Sequence, residues 1–293
     1  MANSSSNPSV ALIGPGRVGQ ALARLLAGAG VRIEWVAARR LDAARRAARY
    51  IGTGRPATLE APEVARAQVL LITTSDSGLL DVAKSVAAQR LDWRSSIVLH
   101  TSGAWPAGGR DSVLQPFRRR GAAAGSLHPL QTVPSREAGA RNLTGCFWAL
   151  EGDRRAVQLA RRWVRALRGT AFVLRPARKA AYHAAAVISC AGVVTLMDAS
   201  RRLLQRSGVT PMQARQMLGG FVAETARNFA RLGAQRALTG PAVRGDWVTI
   251  RRHFDALGTL APEHLPLYRQ LLRSMITIAA TRPPKKPLHL RKK

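Results

Sequence analysis

Six residues near the start of the chain, Gly14-Pro15-Gly16-Arg17-Val18-Gly19, have the types and spacing to hold a pyrophosphate. They follow the apolar run Val10-Ala11-Leu12-Ile13 and open a helical pattern through Leu26, so the glycines fall in a first strand-to-helix turn. In that context Gly14 would let the chain turn tightly, Gly16 would admit a phosphate to the backbone, and Gly19 would let helix and strand pack closely. The helix N-terminus adds free N–H groups and a positive dipole end. A second strand, Val31 to Ala38, ends in Arg39-Arg40 where an NAD site usually carries a carboxylate for the ribose hydroxyls. Guanidinium groups pair bidentately with a 2′-phosphate, so the spacing predicts NADP(H). The alternative is two further arginines in an arginine-heavy chain.

Hydride transfer needs a carbonyl or imine carbon held close to the nicotinamide, and a group that donates a proton or polarises the heteroatom. In an open parallel sheet such groups lie just past the carboxyl ends of the strands. That selects Thr74 and Ser75 with Asp76, then His100 and Ser102, then His128 and Gln131. Lys179 is the strongest candidate further on. It precedes a long apolar helix in a chain with six lysines, and it shares one helical face with Tyr182 and His183 at i+3 and i+4. It could donate a proton or stabilise a developing oxyanion from a cleft between two domains. The competing reading is a lysine at a solvated helix start. His100 and His128 have a competing reading as buried or turn imidazoles, and His183 as a packing residue. His253, His264 and His289 converge with no motif. A short-chain dehydrogenase pairing is excluded, because neither Tyr50, Tyr182 nor Tyr268 has a lysine four residues later.

With 293 residues and 46% hydrophobic content the chain can bury one large or two ordinary cores. The net charge of +30 comes mostly from arginine scattered through every helix rather than gathered in a stripe, so nucleic acid is expected to bind only nonspecifically. The two cysteines, Cys146 and Cys190, lie in apolar runs and are expected in the core; no metal site is expected. Ala2 to Ser9 lacks the pattern of a signal peptide. The most apolar segment, Ala184 to Met197, falls short of the roughly 20 residues that cross a bilayer. These features predict a cytoplasmic protein without membrane contact.

Strands alternate with helices as far as Leu174, with Val69–Thr73 and Ser96–His100 as buried runs and a helix capped by Ser75 between them. Gly52 to Pro56 reads as a loop. From Pro176 onward helical periodicity dominates Ala177–Arg206, Pro211–Leu232, Asp246–Leu257 and Pro262–Thr281. The expected architecture is α/β: an N-terminal Rossmann domain with a parallel sheet over 8–175, an all-helical domain over 176–281, and a basic tail over 282–293. The long helix is apolar over more of its circumference than a one-faced surface helix needs, which predicts a homodimer.

The glycine turn, His100-Thr101-Ser102-Gly103, Ser126-Leu127-His128-Pro129-Leu130-Gln131, Lys179 to Ala186 and Leu238 to Asp246 occur in that order. That series resembles bacterial proteins built from a Rossmann-like domain followed by a DUF2520 domain, over nearly everything from Val10 to Ala280. In plan they are similar to ketopantoate reductase, pyrroline-5-carboxylate reductase and the 6-phosphogluconate dehydrogenase group. The resemblance implies an NADP-dependent reductase of a small keto or imino acid with a helical dimerisation domain. It also allows a cofactor-binding sensor without turnover, or an F420-dependent NADP oxidoreductase. Where that family usually carries an Asn-Tyr pair after the Tyr-His-Ala-Ala motif, this chain has Ala191-Gly192, which removes a candidate substrate contact.

Overall fold

The computed structural model describes residues 8–281. The polar N-terminal stretch before Pro8 and the basic tail from Arg282 lie outside the described residues. From the N-terminus the chain forms β1 (Val10–Ile13), α1 (Arg17–Gly28), β2 (Ile33–Ala38), α2 (Leu41–Ile51), β3 (Arg55–Thr58) and α3 (Pro62–Ala65). Then come β4 (Val69–Ile72), α4 (Asp76–Ala88), β5 (Ile97–His100), α5 (Gln115–Arg118) and β6 (Ala123–Pro129). The α/β part closes with α6 (Arg136–Asn142), β7 (Phe147–Gly152), α7 (Arg154–Ala166) and β8 (Thr170–Val173).

All eight strands join one sheet in the order β3-β2-β1-β4-β5-β6-β7-β8. The expected parallel sheet is parallel at every pair but one: β7 runs antiparallel to β6. Pro129 at the end of β6 pairs with Trp148 at the start of β7, so the intervening segment starts and finishes at one end of the sheet and makes no crossover. Alternate side chains of β1 enter separate cores. Val10 and Leu12 pack with Leu22 and Leu26 of α1 and Trp163 of α7, whereas Ala11 and Ile13 pack with Leu79 of α4 and Phe117 of α5. Helices on both faces explain why these strands read as continuous apolar runs.

Two local expectations are corrected. Gly52 to Pro56 is not all loop, since Arg55 and Pro56 begin β3 at the sheet edge, where a proline costs no ladder bond on its solvent side. Ser75 stands before α4 but its hydroxyl pairs with Ser77 Oγ at 3.1 Å and caps no helix N–H.

The compact units divide between Cys190 and Ala191, whereas the sequence expectation put the break after Arg175. The first unit ends in α8 (Lys179–Val187) and enters a π-turn over Ile188–Gly192. The second contains α9 (Val193–Arg206), α10 (Pro211–Ala237), α11 (Pro241–Arg244), α12 (Trp247–Leu260) and α13 (Leu265–Ala280). Pro211 sits at the start of α10, where Thr210 and Gln213 form a reciprocal capping box, and Gly233 breaks the helix with φ of +72°. Cys146 is buried, but Cys190 is exposed, so the expectation of a core position fails for it. The helical run matches the expected Ala177–Arg206, but its apolar stretch is longer than Ala184 to Met197. Pro176–Arg206 spans 31 residues, and a window within it with mean hydropathy 1.6 is long and apolar enough to cross a membrane.

Candidate active site

The glycine turn occupies the point where the strand order reverses, between β1 and β4. Gly14 has φ of +69°, a conformation that favours glycine, and its N–H donates to Ala37 O at 2.9 Å. Gly19 is required for another reason: a Cβ there would run into the Thr73 hydroxyl, which itself donates to Gly14 O at 2.8 Å. Gly16 is exposed, with only Thr73 O within 4 Å of where a Cβ would stand. It serves as N-cap of α1 without a side chain, so the first-turn N–H groups of Arg17, Val18 and Gly19 receive no side-chain cap. Gln20 donates to Pro15 O at 2.8 Å and accepts from Arg136 at 3.0 Å, bracing the loop. Thr74 Oγ1 is buried beside Gly14 without a hydrogen-bond partner among the described residues. An open glycine, a helix N-terminus and an orphaned hydroxyl suit a dinucleotide pyrophosphate held by Gly14 to Gly19, Thr74 and Ser75.

Arg39 and Arg40 follow β2, both exposed. Arg40 is paired through two bonds, 3.0 and 2.5 Å, with Asp42 in the first turn of α2, and Asp42 also takes Arg46 at 2.6 Å. These two guanidinium groups hold the Asp42 carboxyl well below the usual carboxylate range. Arg39 makes no ion pair among the described residues.

A polar row crosses the sheet beyond this turn. Ile13, Ile72, His100, Ser126 and Glu151 are successive register partners on β1, β4, β5, β6 and β7, so their side chains share a face. Lys179 of α8 comes down on its polar half. Nζ hydrogen-bonds Ser126 Oγ and lies 3.6 Å from Glu151 Oε2, and both Lys179 and Glu151 are 1% exposed. The alternative of a solvated helix-start lysine is thereby corrected. Burial pulls the Lys179 ammonium down to about 8, opposed by the nearby Glu151 and Asp76 carboxylates.

His100 is fully buried, and its Nδ1 accepts the Ser102 N–H at 3.1 Å, so the neutral ring carries its proton on Nε2, which has no partner among the described residues. Ser102 Oγ accepts the N–H groups of Ala104 and Trp105 at 3.2 and 3.0 Å, closing a turn. His128 is half-buried; its Nδ1 lies 2.8 Å from Tyr182 OH, and its ring meets His183 edge-on at 5.6 Å. A Cβ on Gly103 would lie 2.7 Å from His128 Nε2 and would strike His183, so only glycine passes between the two rings. Burial, then His183 and Lys179, lowers His128 to about 4, while burial, then Lys179 and His128, holds His100 well below its ordinary value. Burial raises Tyr182 to about 12.

The fold thus gathers His100, Ser102, His128, Lys179, Tyr182 and His183, scattered over 84 positions of sequence, into one cluster. It does not bring Gln131 in, whose exposed amide accepts its neighbour's N–H. Sequence reasoning passed over Ser126 and Glu151. Glu151 did leave a trace, a carboxylate at the end of the apolar run Phe147-Trp148-Ala149-Leu150.

A glycine turn at the switch point of a doubly wound sheet defines a Rossmann-like protein. Residues 3–129 match the Rossmann-like domain and residues 146–275 match DUF2520, a domain of unknown function. The two matches follow one another along the chain, and the latter begins within the sheet, ahead of β7. No curated protein matches the chain. Its fold is similar to that of protein TM1727 from Thermotoga maritima (TM-score 0.70, 23% identity, covering 92% of this chain and 98% of that one). It is similar to the NADP oxidoreductase-like protein BF3122 from Bacteroides fragilis (0.71, 21%, 92% and 98%). A reductive aminase from Aspergillus terreus, in complex with NADPH and ethyl levulinate, shares the fold at 0.61 and 17% identity (94% and 98%).

Proposed function

We propose that the chain is an NADP(H)-dependent oxidoreductase that reduces a small keto or imino acid. The observation that carries this reading is the polar cluster that His100 and His128 of the sheet form with Lys179 and Tyr182 of α8, on the sheet whose switch point bears the glycine turn. The NADPH held by the reductive aminase and the name of the Bacteroides protein support the cofactor choice. NADPH supplies the hydride when bound; the protein's task is charge and proton placement. The His128–Tyr182 pair is half-buried and has a hydroxyl proton to share with the reduced oxygen or nitrogen. Lys179, behind it and closed from solvent, acts through its positive charge on the developing anion. The Lys179 ammonium and the N–H groups of the uncharged His100 and His128 rings are donors, which favours a substrate rich in acceptor oxygens, hence an acid. Ser102 shapes the turn that keeps His100 in place.

NADPH and NADH titrated by fluorescence, followed by NADPH oxidation over keto acids with and without ammonia, test the proposal. Tighter NADPH binding and turnover of at least one acid are expected; equal cofactor affinities would overturn the NADP assignment. A second reading, a sensor without turnover, is favoured by Ala191-Gly192, which offers no polar side chain within the exposed π-turn. NADPH binding with silence across the screen would support it.

We also infer a homodimer through the helical unit. Among residues 191–281 only Ala214, Ile250, Leu257, Ala261 and Leu272 are buried apolar side chains, while Phe221 and Val248 are 73% and 75% exposed. So small a core needs another apolar surface to cover it.

A further inference from the structure

Glu151 is the only buried carboxylate among the described residues, and an unpaired carboxylate cannot remain charged in such a place. Its Oε1 accepts the Gly108 N–H at 2.6 Å, and its Oε2 accepts the Ala107 N–H at 2.8 Å and the Ser126 hydroxyl at 3.3 Å. A Cβ on Gly108 would stand 2.8 Å from Oε1, so glycine is what lets the turn close over the carboxylate. The donors run in one direction: Lys179 Nζ donates to Ser126 Oγ, and Ser126 Oγ–H donates to Glu151. The segment pinned by Glu151 belongs to the same β5–α5 connection that carries Ser102 beside His100 and Gly103 between His128 and His183.

We propose that Glu151 is a positioning residue of the candidate active site, holding the Lys179 ammonium and the Ala107–Gly108 backbone at once, so that the charge felt by His100 and His128 depends on it. This rests on reading that cluster as the active site. The charged and titratable groups facing Lys179 are His100 from β5, His128 from β6, Glu151 from β7 and Asp76 from α4. Asp76 is exposed at the head of its helix and is screened by water, which leaves Glu151 as the anion that offsets burial.

The chain has six lysines, so the ammonium signals of the full-length protein labelled with 15N-lysine separate readily in NMR. In the wild type Lys179 should titrate near 8, below the ordinary lysine value of 10.5. In Glu151→Gln its proton affinity should fall at least about tenfold, the usual effect of removing an adjacent opposite charge. An unchanged titration in folded Glu151→Gln overturns the proposal. If that variant does not fold, the comparison moves to Lys179→Met and the double variant. Recovery of melting temperature in Glu151→Gln/Lys179→Met shows that the two charges depend on one another. A double variant as unstable as Glu151→Gln reduces Glu151 to a loop anchor and overturns the ammonium role. Where turnover is found, Glu151→Gln should lower kcat and move the alkaline limb of its pH profile downward, with KM for NADPH little changed. The titration and the melting cycle are read on the chain without ligand. A protein that shows them yet turns nothing over counts against the reductase reading alone.

Discussion

At the residue scale, chemistry is decided by which charges have partners. Arg40 is bound to Asp42, whereas Arg39 makes no ion pair among the described residues, so the two arginines of the β2 end are not equivalent. The Arg40–Asp42 pair is exposed and screened by water, so Arg40 can exchange Asp42 for a 2′-phosphate at small cost. Arg39→Ala should weaken NADPH binding by about 1.5–3 kcal/mol and leave NADH unaffected. Asp42→Asn should tighten NADPH, because a carboxylate leaves the phosphate's neighbourhood. Fluorescence titration of the two cofactors against both variants checks this, and an Arg39→Ala protein with wild-type NADPH affinity removes the assignment. Lys179→Ala should lower turnover by roughly 10²–10³-fold, as when one transition-state donor is lost. It also leaves Glu151 buried without its cation, so a fall in melting temperature accompanies it. Full turnover in that variant would leave Lys179 a purely structural cation.

Elements determine where the polar groups can stand. The β5–β6–β7 register lines up His100, Ser126 and Glu151, and α8 supplies Lys179, Tyr182 and His183 from one face. Two glycines make the approach possible, Gly19 for α1 against Thr73 and Gly103 for its loop between two imidazoles. Gly103→Ala should cost about 1–3 kcal/mol through overpacking and disturb the His128–Tyr182 bond, since His128 cannot yield without losing it. Denaturant unfolding and the pH dependence of turnover would report both effects. The same enclosure gives a pH signature. His128 titrates at about 4 in the fold against an ordinary value of 6.5. Between those values the unfolded chain binds a proton that the folded chain does not, so stability is lost as pH falls from about 6.5 toward 4. Melting temperatures across that window should decline, and His128→Gln, which keeps an acceptor for Tyr182, should flatten the slope. An equal decline in the variant would shift the effect to His100, which is buried with its pKa lowered in the same direction.

On the scale of the whole molecule, charge and uncovered apolar surface dominate. On α7 alone Arg154, Arg155, Arg161, Arg162 and Arg165 are exposed on a helix without an acidic residue, a field that attracts polyanions and fades with salt. The helical unit has the opposite character, with exposed Phe221, Phe229, Trp247 and Val248, and the Pro176–Arg206 run that crosses the unit boundary is apolar enough for a bilayer. Light scattering at moderate salt should give twice the monomer mass at micromolar concentration. Flotation with liposomes should leave the protein unbound, because a dimer interface would already cover these faces. A monomer that floats would reverse both expectations.

The strand-to-helix alternation, the glycine turn, the arginines after β2 and the helical second half were legible in the sequence, because each is a local pattern fixed by backbone geometry and side-chain periodicity. Lys179, Tyr182 and His183 could be set on one face from spacing alone, since helical periodicity is also local. What local patterns cannot carry is register between distant strands. Ser126 and Glu151 lie 25 residues apart on antiparallel neighbours, and no spacing rule joins them to Lys179. The antiparallel turn of β7, the edge strand through Pro56 and the exposure of Cys190 were decided likewise by which segments pack together. Tertiary structure alone determined that Lys179 is buried against a carboxylate, because burial and pairing are properties of the assembled sheet, whereas the residue types that make the cluster possible were already in the chain.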